Sequence, residues 1–286
     1  MKQIADFIAA TVVAGTYLVG TRICAAQPTT QNAVTTKATP DGVEFAFQGP
    51  IPVKPAPTLI ILSGVAQDTL LKSSFIQAGR FLAPQGYLCV SIDLPCHGTQ
   101  ETKGAKGLSG WAKRAAADDD FVAEFNARMS KVLDYLIAQG WTDPNKITAC
   151  GTSRGGFLAI RFAAHDKRVK CAVGYSPVTN LRKLSEFRNA ASVAGIDAMN
   201  LEAHVDKLIG RPIFVVIGDR DDRVSTDAAV QFARSLSAAA LKANVPSGAE
   251  LHVVSEPKAN HTTPAHADKW SARWIYRVLE DRELPE

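Results

Sequence analysis

Short apolar runs alternate with amphipathic stretches from residue 58 to the end of the chain, and this alternation limits the folds that the chain can adopt. Most of the runs are apolar throughout, as expected for parallel strands that helices cover on both faces. The strands predicted from these runs cover residues 58–63, 87–93, 146–150, 169–174, 211–217 and 250–254. The helices predicted between them cover residues 74–84, 118–139, 155–165, 226–243 and the segment from about Ala265 onward. The alternation predicts an α/β fold with a doubly wound, mostly parallel sheet.

Two segments do not fit this succession of strands and helices. Within residues 43–47, apolar and polar side chains alternate along the chain, which predicts an antiparallel hairpin strand at the edge of the sheet. Residues 178–210 contain two helix-like stretches between the predicted strands at 169–174 and 211–217. Ligands of open α/β sheets bind beyond the carboxyl ends of the strands. We therefore expect residues 178–210 to form a short helical cap over a ligand site at that edge.

The first 39 residues precede the predicted domain. Residues 1–26 consist of a short basic N-terminus, an apolar run and small residues at the end, a pattern typical of a cleaved secretory signal peptide. Asp6 and Arg22 interrupt the pattern, so an uncleaved N-terminal membrane anchor is the alternative. Residues 27–39 are predicted to form a polar tether, and residues 40–286 the α/β domain. The leader predicts a secreted or periplasmic protein with no stable membrane association after cleavage.

Charge and cysteine content argue against several classes of function. The 286 residues carry a formal net charge of +4, and the basic residues are scattered rather than clustered, which argues against a nucleic-acid partner. The chain has 5 cysteines, and their spacing matches neither a zinc site nor a disulfide framework. We therefore expect neither a metal nor an organic cofactor.

The sequence Gly151-Thr-Ser153-Arg-Gly155 lies where a predicted strand passes into a predicted helix. A serine on so tight a turn stands exposed at the end of the strand, and its neighbours must be small to avoid clashes within the turn. The N–H groups at the start of the following helix can bind a developing oxyanion. Because Gly-x-Ser-x-Gly also arises by chance, its position at this junction is what makes Ser153 a candidate nucleophile.

A serine hydroxyl is a poor nucleophile until a base takes its proton, and two later loops supply partners. Asp221 lies in an acidic loop directly after the strand predicted at 211–217, with Asp219 and Asp222 as alternatives. His261 lies between the last strand and the last helix, where it can reach back over the sheet edge, and His266 is the nearest competing histidine.

The order Ser153, Asp221, His261, each after a different predicted strand, resembles that of the α/β-hydrolase superfamily. From about residue 40 onward the chain is most similar to the branch that contains dienelactone hydrolases, acetyl esterases and prolyl-oligopeptidase-like enzymes, above all in the acidic loop 218–224. The resemblance implies that Ser153 is the nucleophile, His261 the base, and Asp221 the acid that orients the base. Dienelactone hydrolases have a cysteine in place of this serine, which argues against their substrate.

The resemblance also implies an oxyanion hole made by the backbone N–H groups of Arg154 and Val65. Gly64, Arg223 and Trp111 are the candidates for contact with the substrate. The side chains of Arg154 and Arg223 either bind a carboxylate or carbonyl of the substrate or serve as structural ion-pair partners. Trp111 either lines the acyl pocket or packs under a loop.

These residues predict a serine hydrolase that cleaves carboxylic esters of small or medium size through an acyl-enzyme on Ser153. Its partner is then a small-molecule ester. The first alternative is a peptidase or amidase of the prolyl-oligopeptidase type. The second is a binding protein that keeps the hydrolase fold without catalysis.

Overall fold

The computed structural model describes residues 33–188, 193–256 and 260–285. Its strands are β1 (Val34–Ala38), β2 (Glu44–Gln48), β3 (Ala56–Leu62), β4 (Leu88–Ser91), β5 (Thr142–Thr152), β6 (Val169–Tyr175), β7 (Ile213–Gly218) and β8 (Ala249–Val254). They form an eight-stranded sheet in the order β1-β2-β4-β3-β5-β6-β7-β8. Strands β3 to β8 are parallel, whereas β2 pairs antiparallel with both β1 and β4. The mostly parallel sheet predicted from sequence is confirmed.

Helices cover both faces of this sheet. The α-helices are α1 (Ala66–Leu71), α2 (Ser73–Ile76), α3 (Gly79–Leu82), α4 (Gly107–Ala116), α5 (Phe121–Ala138), α6 (Arg154–His165), α7 (Val193–Met199), α8 (Thr226–Lys242) and α9 (Ala267–Glu280). Successive side chains of a strand point to opposite faces, so Ile60 and Leu62 pack with α5 and α6 while Leu59 and Ile61 pack with α1 and α9. This two-sided burial explains why the central strands have unbroken apolar sequences, whereas β1 and β8 at the two edges of the sheet do not. Within the described residues, no helix is both long and apolar enough to cross a membrane.

The edge of the sheet corrects two predictions. Residues 34–38, predicted as part of the polar tether of residues 27–39, form β1 and pair with β2 in the register Val34↔Gln48. The strand predicted over residues 43–47 is therefore not the edge strand, because β1 lies outside it. Residues 1–26, the predicted leader, lie outside the described residues, and its role in export stays a prediction.

The single helix predicted over residues 74–84 is also wrong. The segment forms α2, then α3, then a 3-10 turn over Ala83–Gln85. Gln77 separates the two helices with a φ of +46°, outside the right-handed helical region. The chain therefore turns sharply at Gln77, and the two short helices are left beside the carboxyl ends of the strands.

Candidate active site

Ser153 lies at the junction of β5 and α6 in a backbone conformation that non-glycine residues rarely adopt. Its φ is +55° and its ψ is −116°. Three backbone hydrogen bonds hold it there: its N–H donates to Tyr175 O at 2.8 Å, and its carbonyl accepts from the N–H groups of Phe157 and Val178, both at 3.1 Å. A strained residue fixed by its surroundings is typical of a functional position. The turn is the one that the Gly-x-Ser-x-Gly pattern predicts.

The two glycines beside Ser153 are required by close backbone packing. A Cβ on Gly151 would lie 2.3 Å from the carbonyl carbon of Gly155. A Cβ on Gly155 would lie 1.9 Å from the carbonyl oxygen of Leu62 on β3. Both obstacles are main-chain atoms and cannot rotate away as a side chain can. The turn therefore excludes any other residue at these positions unless the sheet itself moves.

We expect Gly155→Ala to lower the free energy of unfolding by about 2–3 kcal/mol, because the added methyl overpacks the strand–helix contact. Gly64→Ala is the matched control, since its Cβ would meet only His97 Cδ2 at 3.6 Å, an ordinary contact. We expect that variant to stay within about 1 kcal/mol of the wild type. Urea unfolding followed by circular dichroism measures both. Equal stabilities of the two variants would contradict the packing explanation.

His261 and Asp221 lie next to Ser153 and form a continuous chain of hydrogen bonds with it. His261 Nε2 lies 2.9 Å from Ser153 Oγ, and His261 Nδ1 lies 2.7 Å from Asp221 Oδ2. Asp221 follows β7 and His261 follows β8, so the carboxyl ends of parallel strands deliver all three groups to one sheet edge. Ser176 Oγ donates to Thr262 O at 2.8 Å and ties down the loop that carries His261. The structure brings together the three residues predicted from sequence.

Asp221 is held on both of its carboxylate oxygens. While Oδ2 faces His261, Oδ1 accepts from the backbone N–H groups of Arg223 at 3.1 Å and Val224 at 3.2 Å. The competing acids have other environments: Asp222 is exposed, and Asp219 accepts from the N–H of Glu256 at 2.9 Å. The structure therefore selects Asp221 from the three acids of this loop.

A cavity of about 590 Å³ opens above Ser153 and His261. Arg154 and Arg223, two of the residues predicted to lie at the site, also line it. The wall contains further residues that the sequence did not indicate, from the α2–α3 segment and from the starts of α4 and α9: Ser73, Ser74, Phe75, Gln77, Arg80, Leu108 and Asp268. These side chains come from short helices or helix starts that carry no motif, so no sequence signal singled them out. A cavity of this size accommodates a small or medium ligand.

The predicted oxyanion donors have different positions. Arg154 is the first residue of α6, where backbone N–H groups have no partner within the helix, and it lines the cavity beside Ser153. Ser63 also lines this cavity, whereas Val65 lines a separate cavity together with Asp93. The assignment of Arg154 fits the geometry, and the second donor at Val65 stays a prediction. Among the described residues that line the cavity, Gly64 is absent.

Trp111, predicted as a candidate for substrate contact, packs under a loop instead. Its side chain is fully buried, and its Nε1–H donates to Pro95 O at 2.6 Å. Its ring lies 4.8 Å from the ring of Phe121 and 6.0 Å from that of Phe157, centroid to centroid. Leu108, one helical turn earlier on α4, lines the cavity. The assignment of Trp111 to the acyl pocket is therefore wrong, and its role is to pack α4 against α5 and α6.

We expect Trp111→Phe to lower the free energy of unfolding by about 1–2 kcal/mol, because the variant loses both a buried hydrogen bond and ring volume. Pro95 O keeps its contact with His97 Nδ1 at 2.8 Å, which limits the loss. The KM for a neutral ester should stay within about twofold of the wild type, since the ring lies outside the cavity. Thermal unfolding and steady-state kinetics test the two statements. A changed KM at unchanged stability would restore a substrate-binding role.

Two of the three arginines of the cavity are neutralised by acids. Arg223 Nη2 lies 2.6 Å from Glu186 Oε1, an acid of the segment predicted as a cap. Arg80 Nη1 lies 3.1 Å from Asp268 Oδ2. Arg154 instead donates from Nε to the carbonyl oxygen of Ser63 at 3.0 Å. The structural ion-pair alternative therefore holds for Arg223.

The cysteines and metal-ligating residues form no further centre in the described residues. Cys89, Cys96, Cys150 and Cys171 are free and buried. Burial raises the pKa of Cys89 to about 12 and that of Cys171 to about 12. Thiols in this state are protonated and unreactive. Across residues 33–188, 193–256 and 260–285, no group of three or more His, Cys, Asp or Glu side chains is arranged to hold a metal ion.

The chain is similar in sequence and in fold to known proteins. The sequence model of the prolyl oligopeptidase family matches residues 80–280. Acylamino-acid-releasing enzyme 1 of Oryza sativa subsp. japonica is 21% identical over 239 residues, which cover 75% of this chain and 29% of that protein. The chain thus spans less than a third of that relative's length.

Two solved structures share the fold. TT1662 from Thermus thermophilus superposes with a TM-score of 0.64 at 19% identity, covering 87% of this chain and 100% of that chain. A cold-adapted esterase from an Arctic intertidal metagenomic library superposes with a TM-score of 0.57 at 15% identity, covering 86% of this chain and 92% of that chain.

Proposed function

The chain belongs to the prolyl oligopeptidase family of serine hydrolases, and we propose that it cleaves carboxylic esters of small or medium size. The observation that carries the proposal is the chain of hydrogen bonds from Ser153 through His261 to Asp221, with its serine on a strained turn at the floor of a cavity. Such a chain activates a hydroxyl for attack on a carbonyl carbon. The proposed substrate is an uncharged or singly charged ester.

In the proposed reaction, Ser153 Oγ attacks the ester carbonyl while His261 Nε2, 2.9 Å away, takes its proton. Asp221 stabilises the imidazolium that forms and fixes the orientation of the ring. The backbone N–H of Arg154 donates to the oxyanion of the tetrahedral intermediate. His261 then gives its proton to the leaving alcohol. Water, activated by the same imidazole, hydrolyses the acyl-enzyme and regenerates Ser153.

The second candidate is hydrolysis of peptide or acyl-peptide bonds. The family match and the acylamino-acid-releasing enzyme of rice favour it, because the name of that relative describes amide chemistry. The same three side chains serve both reactions, since amide hydrolysis differs mainly in protonating an amine instead of an alcohol. The cavity of about 590 Å³ suits a compact substrate in either reaction.

A labelling step followed by a substrate panel tests the proposal. A fluorophosphonate probe should modify Ser153 in the full chain, as read by peptide mass spectrometry. Turnover of short-chain methyl esters should then be measurable, while hydrolysis of aminoacyl-proline amides should stay at the background rate of Ser153→Ala. Amide hydrolysis clearly above that background would favour the peptidase instead, because serine peptidases cleave esters as well as amides. Failure of both labelling and turnover would leave a binding protein without catalysis.

A further inference from the structure

The charges lining the cavity are unevenly compensated. Arg80 faces Asp268, and Arg223 faces Glu186, so each of these cations has its own acid. Arg154 lies in the same wall, and no acidic side chain of residues 33–188, 193–256 or 260–285 forms an ion pair with it. The cavity beside the nucleophile therefore carries one uncompensated positive charge.

That charge stands in an unfavourable environment. Burial lowers the pKa of Arg154, and repulsion from the guanidinium of Arg223 lowers it further. The carboxylate of Glu186 raises the pKa of Arg154, but by less than the guanidinium of Arg223 lowers it. A partly desolvated cation without a counter-ion reduces the stability of the fold. Any neutral hydrogen-bond donor would suffice to bind the Ser63 carbonyl, so that contact does not account for a full positive charge at this position.

The hydrogen bond to Ser63 also determines which part of the guanidinium remains available. Nε is bound to the Ser63 carbonyl at 3.0 Å, and this contact fixes the plane of the group. The two terminal nitrogens, Nη1 and Nη2, form no hydrogen bond with the described residues and remain for a ligand. A pair of parallel N–H donors matches the two oxygens of a carboxylate. Arg154 and Ser153 line the same cavity, so a carboxylate bound by Arg154 can belong to the molecule whose carbonyl is under attack.

We propose that Arg154 binds a carboxylate of the substrate, so that the preferred esters carry one negative charge close to the scissile bond. This inference rests on the proposed ester hydrolysis for its turnover readout, and it selects a substrate class that the triad alone does not. A single uncompensated cation matches a single carboxylate. A doubly charged phosphate monoester would leave one negative charge without a partner.

Matched pairs of esters test the inference in the full chain. On the acyl side, monomethyl glutarate is compared with its neutral monoamide. On the alcohol side, acetoxyacetate is compared with acetoxyacetamide. We expect the wild type to prefer the charged member of one pair by about 10- to 100-fold in kcat/KM, the range for a charge-assisted hydrogen bond. The pair that shows this preference identifies the side of the scissile bond that carries the carboxylate.

The ratio of charged to neutral turnover is measured within each variant, so that a general loss of activity cancels. Arg154→Gln should bring the ratio close to one, and Arg154→Lys should retain part of the preference because it keeps the charge. The double variant Arg80→Gln/Asp268→Asn is the matched control, because it removes another arginine of the same cavity together with the acid that neutralises it and leaves the net charge unchanged. Its ratio should stay within about threefold of the wild type. Equal losses on both esters in Arg154→Gln would overturn the inference and leave Arg154 as a positioning residue for the Ser63 segment.

A binding measurement keeps this inference separable from the proposed function. Calorimetric titration of Ser153→Ala with the same ester pairs needs no turnover. We expect the charged ester to bind about 10-fold or more tightly than its neutral partner, and the double variant with Arg154→Gln to lose this difference. Equal affinities would overturn the inference even if the wild type proved to be an esterase. A clear preference without ester turnover would support the carboxylate site and contradict the esterase.

Discussion

Ser153→Ala should reduce kcat/KM for p-nitrophenyl acetate by about 10,000-fold or more, the loss expected when the nucleophile of a triad is removed. In the proposed reaction, Ser153 Oγ is the atom that bonds to the carbonyl carbon, and its hydroxyl lies 2.9 Å from His261 Nε2, which takes its proton. Alanine supplies neither a lone pair nor a proton. Any remaining rate would come from binding and from the oxyanion donor at Arg154.

The fold should survive this substitution. The backbone hydrogen bonds of residue 153 to Tyr175 and Val178 do not involve the side chain. We expect the free energy of unfolding to change by less than about 1 kcal/mol, as measured by urea denaturation. Ser74→Ala, which removes a hydroxyl from the wall of the same cavity, should keep kcat/KM within about threefold. Turnover by Ser153→Ala above about 1% of the wild-type rate would contradict the nucleophile assignment.

The three residues of the hydrogen-bond chain were predictable from the sequence because each follows a strand of the parallel part of the sheet. Parallel strands bring their carboxyl ends to one edge, so Ser153, Asp221 and His261 had to lie near one another once β5, β7 and β8 were recognised. The central strands were recognisable because helices cover both faces of the sheet there, which makes their runs apolar, whereas the side chains of the edge strand β8 are only partly buried. The local sequence pattern identifies the strands, and the parallel topology then places the three residues together at one edge of the sheet.

The sheet edge and the broken helix left no such signal. Most side chains of β1 are exposed, so its sequence Val-Thr-Thr-Lys-Ala resembles a polar linker. What holds β1 is backbone pairing with β2, and composition does not encode that pairing. The sequence around Gln77 likewise does not indicate its φ of +46°, because a positive φ is predictable mainly at glycine or asparagine.

The wall of the cavity was the least predictable part of the site. Leu108 and Trp111 lie one turn apart on α4, yet Leu108 reaches the cavity and Trp111 is buried beneath Pro95. Which of the two faces the ligand depends on how α4 packs against α5, a tertiary property. The ion pair between Arg80 and Asp268 joins positions 188 residues apart in the chain, with no motif at either end. The residues that line the cavity are therefore identified from the structure and not from the sequence.

Asp221→Asn should lower kcat for ester hydrolysis by about 10,000-fold, although it changes a single atom. Asp221 Oδ1 accepts hydrogen bonds from the backbone N–H groups of Arg223 and Val224. An amide NH2 in that place is itself a donor and could not accept these bonds. The asparagine must therefore keep its oxygen there and turn its NH2 toward His261 Nδ1. That nitrogen must then accept, which places the ring proton on Nε2. A protonated Nε2 cannot take the proton of Ser153, so the base is lost while the geometry stays intact.

Asp222→Asn is the matched control, because Asp222 is the exposed neighbour in the same loop. We expect its kcat to equal that of the wild type within about twofold, since a solvated carboxylate outside the hydrogen-bond chain contributes little. Steady-state kinetics at pH 7 to 8 compare the two variants, and fluorophosphonate labelling reports whether Ser153 is still activated. A loss of less than about tenfold in Asp221→Asn would mean that another group sets the tautomer of His261. Because Nδ1 of that ring lies 2.7 Å from Asp221 Oδ2, we expect the carboxylate of Asp221 to set the tautomer of His261.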